Sequence, residues 1–445
     1  MGSEWKEVSF ADVIEIISGG TPKTSVTEYW GGNIPWLSVS DFNSGFRWVS
    51  TAEKTITERG LAESATTILN RGDIIISARG TVGAIAQLAK PMAFNQSCYG
   101  VRGKKGIAET NFVYYALRHA VSQMQQVAHG GVFNTITRYT FKIITTKLPP
   151  LPEQRAIAHI LGTLDDKIEL NRRMHETLEA MAQALFKSWF VDFDPVVVNA
   201  IKAGNPIPEK FAECAAHYHD NPDALGLPED LLRLFPARFV DSELGPIPEG
   251  WEATTIGSEF DLTMGQSPPG STYNEEGKGL PFFQGRRDFG FRYPSSRVYC
   301  TAPTRIAHTG NTLVSVRAPV GDINMAYETC CIGRGVAALR HKSGSRSYTY
   351  YYAILVLAEQ LKIYGAEGTV FGAINKKQFQ NLSSISPRPD IISLFEKLAY
   401  PIDENILSFE EESRTLAALR DTLLPRLISG ELRVPDVEKI LEDAL

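Results

Sequence analysis

The sequence predicts a mixed α/β (α+β) chain in which two similar globular domains alternate with two long coiled-coil helices that pair with each other. Three observations predict it. Apolar residues between Pro152 and Trp189 recur in steps of four and three. A second stretch between Asp390 and Ser429 repeats that spacing. Blocks of the intervening globular segments recur at the same distance along the chain, about 238 residues.

The first helix follows LPPLP, where prolines can precede or open a helix but not continue it. Its seam is Ile157, Leu161, Leu164, Ile168, Asn171, His175, Leu178, Ala182, Leu185 and Trp189. This heptad pattern suits a helix lying along another helix, and at 1.5 Å per residue the stretch spans roughly 55 Å. The partner is Phe395, Ala399, Ile402, Ile406, Phe409, Ser413, Leu416, Arg420, Leu423 and Leu427, each 238 residues beyond its counterpart. Pro401 should kink or restart this second helix. Polar Asn171 and His175 either fix register or mark a place where the helices splay into solvent.

The globular segments repeat block by block. GDIIISARGTVG (72–83) matches GNTLVSVRAPVG (310–321), and GGVFNTI (130–136) matches GTVFGAI (368–374). Tyr114-Tyr115-Ala116 falls against Tyr351-Tyr352-Ala353. Nearer the start, Trp5 pairs with Trp251, GGTP (19–22) with GQSP (265–268) and IPWL (34–37) with LPFF (280–283), now 246 apart. The first copy therefore has about eight extra residues between Phe42 and Gly72. The units are 1–152 and 251–389 (domains), 153–190 and 390–430 (helices), 191–250 (an acidic connector) and 431–445 (an acidic tail). Ile74–Ile76 and Thr312–Val316 are β-branched runs bounded by glycine, hence buried strands. Asn111–Gln125 and Ser347–Lys362 have helical spacing, with Asn111 and Ser347 as N-caps. The Pro-punctuated connector is expected to be partly ordered, with a short helix at 228–235.

Net charge is −6 but unevenly placed. Residues 1–152 contain 15 Lys and Arg against 11 Asp and Glu, and residues 251–389 contain 15 against 10. The connector has 4 against 11 and residues 390–445 have 6 against 13. Two basic globular segments point to polyanion binding. Five cysteines without a CxxC pair fit a reduced compartment, and no apolar run is long enough for a membrane span, so a cytoplasmic location with no membrane partner is expected.

Catalytic motifs are missing. No GxGxxG or GxxxxGK[ST] follows a strand. An adenine methyltransferase needs an adenosylmethionine loop and an Asn/Asp-Pro-Pro-aromatic motif, which Asn205-Pro-Ile-Pro208 and Asp194-Pro-Val-Val do not supply. Of the metal-nuclease-like triplets, Asp165-Asp-Lys167 lies close to the helix seam and Glu276-Gly-Lys278 has no acidic partner nearby in a strand. Cys214, His217 and His219 lack a second ligand pair. No catalytic and no metal residues are assigned.

The basic loops carry the recognition chemistry. Arg286, Arg287 and Arg292 lie among glycine and aromatics in QGRRDFGFRY, and the first copy's counterpart, SVSDFNSGFR, has Ser40, Asp41 and Arg47 on a similar aromatic frame. Arginine reads guanine, and Asn or Gln reads adenine, through paired hydrogen bonds. The other DNA-binding candidates are Thr24, Asn95, Gln96 and Lys342, with Lys23, Lys104 and Lys105 as phosphate contacts. For each, a solvated surface charge is the competing reading.

The tandem repeat, LPPLPEQRAIAHIL at a helix start, and FKSWFVDFDPV followed by LFPARFVDSELGPIPEGW resemble the specificity subunit of type I restriction–modification enzymes. The resemblance spans nearly the whole chain. It implies two target-recognition domains, each reading one half of a bipartite, asymmetric site in double-stranded DNA, separated by an antiparallel pair of the long helices that sets the unread spacer. It also implies two methylation subunits and, in the full complex, two restriction subunits as partners. No cofactor is expected on this non-catalytic chain, with S-adenosylmethionine, ATP and Mg2+ on the partners. The alternatives are a coiled-coil adaptor binding protein or RNA, or a methyltransferase or nuclease fragment.

Overall fold

The computed structural model describes residues 5–127, 135–317, 319–365 and 372–435. Most of the GGVFNTI and GTVFGAI match, and the acidic tail beyond 435, lie outside the described residues. Both long helices form where the heptads place them, at Leu151–Phe190 and Pro389–Ser429. Each has a proline in its first turn, where a missing N–H forfeits no helical bond. Gly430, left-handed at φ 73°, closes the second. That helix runs unbroken through Pro401, so the expected restart does not occur. Pro401 and Lys397, whose carbonyl loses its partner, are both exposed, so the unbonded carbonyl is open to solvent rather than buried.

The chain divides into two compact units, Met1–Arg173 with Phe409–Leu445, and Met174–Ser408, so each long helix contributes to both. In the first unit, a five-stranded sheet has the order Ile14–Ser18, Cys98–Gly103, Ile74–Ser77, Ile85–Leu88, Trp48–Val49. A four-stranded sheet has the order Lys54–Ile56, Trp30–Leu37, Met92–Phe94, Ile68–Leu69. Ile74 and Ile76 turn into a core with Phe112, Tyr115, Phe141, Ile157, Leu161, Leu423 and Leu427. The remaining seam residues of this unit, Leu164, Ile168, Phe409 and Leu416, are half-buried. Asp165 bonds Arg420 at 2.7 Å and Asn171 bonds Glu412 at 2.8 Å, so the helices run antiparallel here.

The second unit repeats this plan. Phe260–Met264, Val336–His341, Thr312–Val316 and Val320–Met325 form one sheet in that order. The parallel pairing of Trp36 with Ala93 in the first unit recurs as Phe282 with Cys331. Phe186, Trp189, Phe395, Ala399 and Ile406 pack in one core, with Leu178, Leu185 and Ile402 half-buried against it. The connector is more ordered than its prolines suggest. Phe193, Val196, Val197, Phe211 and Phe235 all join that core, and the short helix falls at Glu229–Leu232. Phe193 takes a left-handed backbone (φ 56°), costly for a residue with a Cβ, and is held there against Trp251 and Phe211.

One correspondence shifts by a residue. Tyr115 donates to Asp165 at 2.7 Å, and Tyr351 donates to Asp403, 238 residues beyond Asp165, at 2.8 Å. Tyr115 is therefore equivalent to Tyr351 rather than Tyr352. The helix that follows contains a π turn, Ala353–Leu357, which accommodates an extra residue.

Candidate nucleic-acid interface

In the second unit several loops surround a cleft of about 740 Å³, lined by Arg286, Arg287, Arg297, Arg317 and Arg334 together with Ser267 and Gln284. Asp288 is the carboxylate in the lining. It is 4% exposed, accepts the Gln284 N–H at 2.8 Å and meets Arg297 at 3.3 Å. Arg286 reaches Asp322 at 3.3 Å. Arg287, Arg317 and Arg334 are exposed, with no carboxylate partner among the described residues. Guanidiniums in such excess make a positive concavity suited to an anion with planar, acceptor-bearing edges.

The same point of the fold is rebuilt in the first unit with other side chains. Gly20 N–H bonds Phe94 O, and Gln266 N–H bonds Ile332 O, both at 3.0 Å. Asn95 N–H bonds Leu37 O at 3.0 Å, and Gly333 N–H bonds Phe283 O at 2.8 Å. These bonds superpose Gln96 on Arg334 and Thr21 on Ser267. The glycine of each GGTP or GQSP loop is required for this approach. A Cβ at Gly19 would lie 2.2 Å from Asn95 O, and one at Gly265 would lie 2.1 Å from Gly333 O. Thr21 donates to the Gln96 side-chain oxygen, and the Arg334 N–H donates to Ser267 Oγ at 3.4 Å.

Several residues expected at an interface are instead committed to the fold. Arg47 is 7% exposed, bonds Gln87 at 2.7 Å and Asn111 at 3.3 Å, and reaches Asp166 of the first long helix at 3.4 Å. Arg292 is 1% exposed and bonds Glu179 at 2.8 Å and Asp403 at 2.6 Å. Burial opposes its charge, but Asp403, Tyr350, Tyr351 and Glu179 hold its pKa well above the ordinary guanidinium value. Lys104 Nζ donates to the carbonyls of Ala11 (3.1 Å) and Asp12 (2.8 Å). Lys342 does the same to Gly257 and Ser258, so both lysines neutralise the end of a short helix. Asp41 completes the capping box of the short helix Val39–Phe42, accepting Ser38 N–H at 2.7 Å, and also accepts Glu53 N–H at 2.8 Å. Asn95 accepts Ser97 N–H at 3.0 Å. Lys23, Thr24, Ser40, Gln96, Lys105, Arg286 and Arg287 remain exposed. Cys214 donates to Asp194 at 3.0 Å, and burial followed by that bond pushes its thiol pKa up, away from a metal-binding thiolate. Among the described residues no three His, Cys, Asp or Glu side chains converge as metal ligands, and no helix is long and apolar enough to cross a membrane.

Residues 2–180 match the family model described as the type I restriction modification DNA specificity domain. The MjaIX type I specificity subunit of Methanocaldococcus jannaschii is 24% identical over 98% of this chain and 95% of its own length. The putative MjaX specificity subunit of the same organism is 27% identical over 97% and 94%. The chain is thus similar to type I specificity subunits over nearly its whole length. The type I restriction-modification system S subunit from M. genitalium, 14% identical over 96% of this chain and 97% of that one, shares the fold with a TM-score of 0.52.

The family match ends near the close of the first long helix. Residues 251–389 are tied to the matched part by the internal repeat. Sequence reasoning missed Arg297, Arg317 and Arg334 in the cleft. Two signals were present: Arg317 repeats Arg79 within the GDIIISARG block, and Arg334 stands 238 residues beyond Gln96. It also missed the buried polar side chains of the helices, Asp165, Glu179 and Asp403, each at most 5% exposed. Asn171 (1%) and His175 (5%) are buried with them, so the splayed, solvated reading of those positions does not hold.

Proposed function

We propose that this chain is a type I specificity subunit that selects DNA through two separate readers, each globular domain taking one half of a bipartite asymmetric site. One observation carries the reading: a single scaffold occurs twice, with an arginine-lined cleft in one copy and Thr21, Ser40 and Gln96 at the matching loops of the other. Two readers on one backbone plan, with different side chains, suit two different short sequences. The paired helices set the number of unread bases between the halves. They also dock two methylation subunits and, in the full complex, two restriction subunits. Exposed Met174, Met181, Leu398 and Tyr400 on the helices of the second unit support that docking role, since helical apolar surface of this kind is normally covered. The chain performs recognition and assembly without catalysis, in the cytoplasm. Adenosylmethionine, ATP and Mg2+ belong to its partners.

Exchanging residues 251–389 for another such domain, followed by sequencing of methylated sites in cells that express the methylation partner, should alter one half of the recognised sequence and leave the other intact. Alteration of both halves, or of neither, would falsify this division. Removing one heptad from each helix should shorten the spacer in the modified sites, and an unchanged spacer rejects the ruler.

A further inference from the structure

We infer that residues 96 and 334 are one base-reading position occupied twice, specifying adenine in the half-site of the first domain and guanine in that of the second. This rests on the two-reader function proposed above. Four hydrogen bonds superpose the loops that carry the two residues, and a hydroxyl residue, Thr21 or Ser267, bonds each of them. What differs is the side chain. Glutamine presents one donor and one acceptor, the complement of adenine N7 and N6 in the major groove; arginine presents two donors, the complement of guanine N7 and O6. Thr21 occupies one lone pair of the Gln96 oxygen, which leaves the amide fixed in orientation with its NH₂ and a second lone pair available. Arg334 is exposed with no carboxylate partner among the described residues, so its fork is unspent.

The comparison between copies also separates reading from positioning. DNA backbone is the same under both domains, while the bases differ. A phosphate contact can therefore be the same residue in both copies, whereas equivalent residues that differ can read different bases. Arg79 and Arg317 are identical, equivalent and exposed, which assigns them to phosphate. Gln96 and Arg334 are equivalent and different, which assigns them to a base.

The test uses the complex of this chain with its methylation partner. A wild-type complex that yields no bipartite methylated motif defeats the underlying function, and the inference with it. Given such a motif, duplexes substituted singly through the second half-site are compared in competition binding. Wild type should prefer guanine at one position by about 5- to 150-fold, the range of one paired base contact. Arg334→Ala should lose that preference and keep discrimination elsewhere. Arg334→Gln should shift the methylated motif from guanine to adenine there, and Gln96→Arg should make the opposite change in the first half. Arg317→Ala and Arg79→Ala should weaken all duplexes alike and flatten the salt dependence, with the motif unchanged. If Arg334→Ala weakens every duplex equally, abolishes binding to all of them, or leaves every preference intact, residue 334 is not a reader and the inference falls while the function stands.

Discussion

Replacing Arg292 by alanine should loosen the second unit by about 3–5 kcal/mol, the cost of breaking a buried ion pair by removing one partner. The side chains of Arg292 and Asp403 are 0% exposed and that of Glu179 is 6% exposed. The guanidinium meets the two carboxylates at 2.8 and 2.6 Å and lies 4.3 Å from the centre of the Tyr350 ring. Its removal strands two buried carboxylates without the guanidinium that bonds them both, which places the loss toward the upper end of the range. Hydrogen exchange over 174–190 and 389–408 reads this directly. Amides protected through opening of this unit should exchange two to nearly four orders of magnitude faster, at about 1.4 kcal/mol per tenfold. Replacing all three residues by apolar ones of similar volume should restore stability to within about 1 kcal/mol of wild type, because neither the attraction nor the desolvation then remains. A loss below about 1 kcal/mol for Arg292→Ala, or a triple variant no better than the single one, would refute the argument.

The buried helix position His175 supplies a pH test. Burial, then the Arg292 charge, pushes its pKa down to about 4, with Asp403 opposing. The unfolded chain takes up this proton near 6.5, so the contribution is complete above that pH and is lost as pH falls toward 4, by roughly 3 kcal/mol. The unfolding free energy of His175→Phe should decline less than that of wild type between pH 7 and 4.5; parallel declines would count against the assignment. The two helix-capping lysines give a negative control for DNA reading. Lys104→Met and Lys342→Met should each cost about 1 kcal/mol or less in urea unfolding and leave DNA affinity and its salt dependence unchanged. Uniformly weaker binding with a flatter salt dependence would return those residues to the interface.

The seam was legible because period alone specifies it. Ile157, Leu161, Phe395 and Ile406 need only their spacing to be placed in a core, and all are at most 1% exposed. The repeat was legible for a similar reason, since a buried strand such as Ile74–Ile76 tolerates few replacements and its copy stays recognisable. The reading of Arg47 and Arg292 failed for the opposite reason. Arginine among glycines and aromatics looks like an exposed reader, and the carboxylates that claim it, Asp166 in one case and Glu179 and Asp403 in the other, are more than a hundred residues away. Nothing local announces such a pairing. The lysines are a milder instance, because a helix end that uses a distant ammonium as its cap resembles an unused phosphate contact. The order within the connector was hidden by its prolines, although the aromatics that secure it, Phe193, Phe211 and Phe235, were in plain view.

The arginine that joins the second domain to both long helices has a consequence for how such chains can change. Arg292 follows directly on the loop that carries Arg286 and Arg287, yet its partners lie in the helices. It works as a keyed connector. The loop ahead of it is free to drift toward a new target, while any domain grafted onto these helices must bring a cation to this one point or leave Glu179 and Asp403 stranded. Interchangeable heads on a common frame thus come with a compatibility rule, written in a residue that itself touches no base.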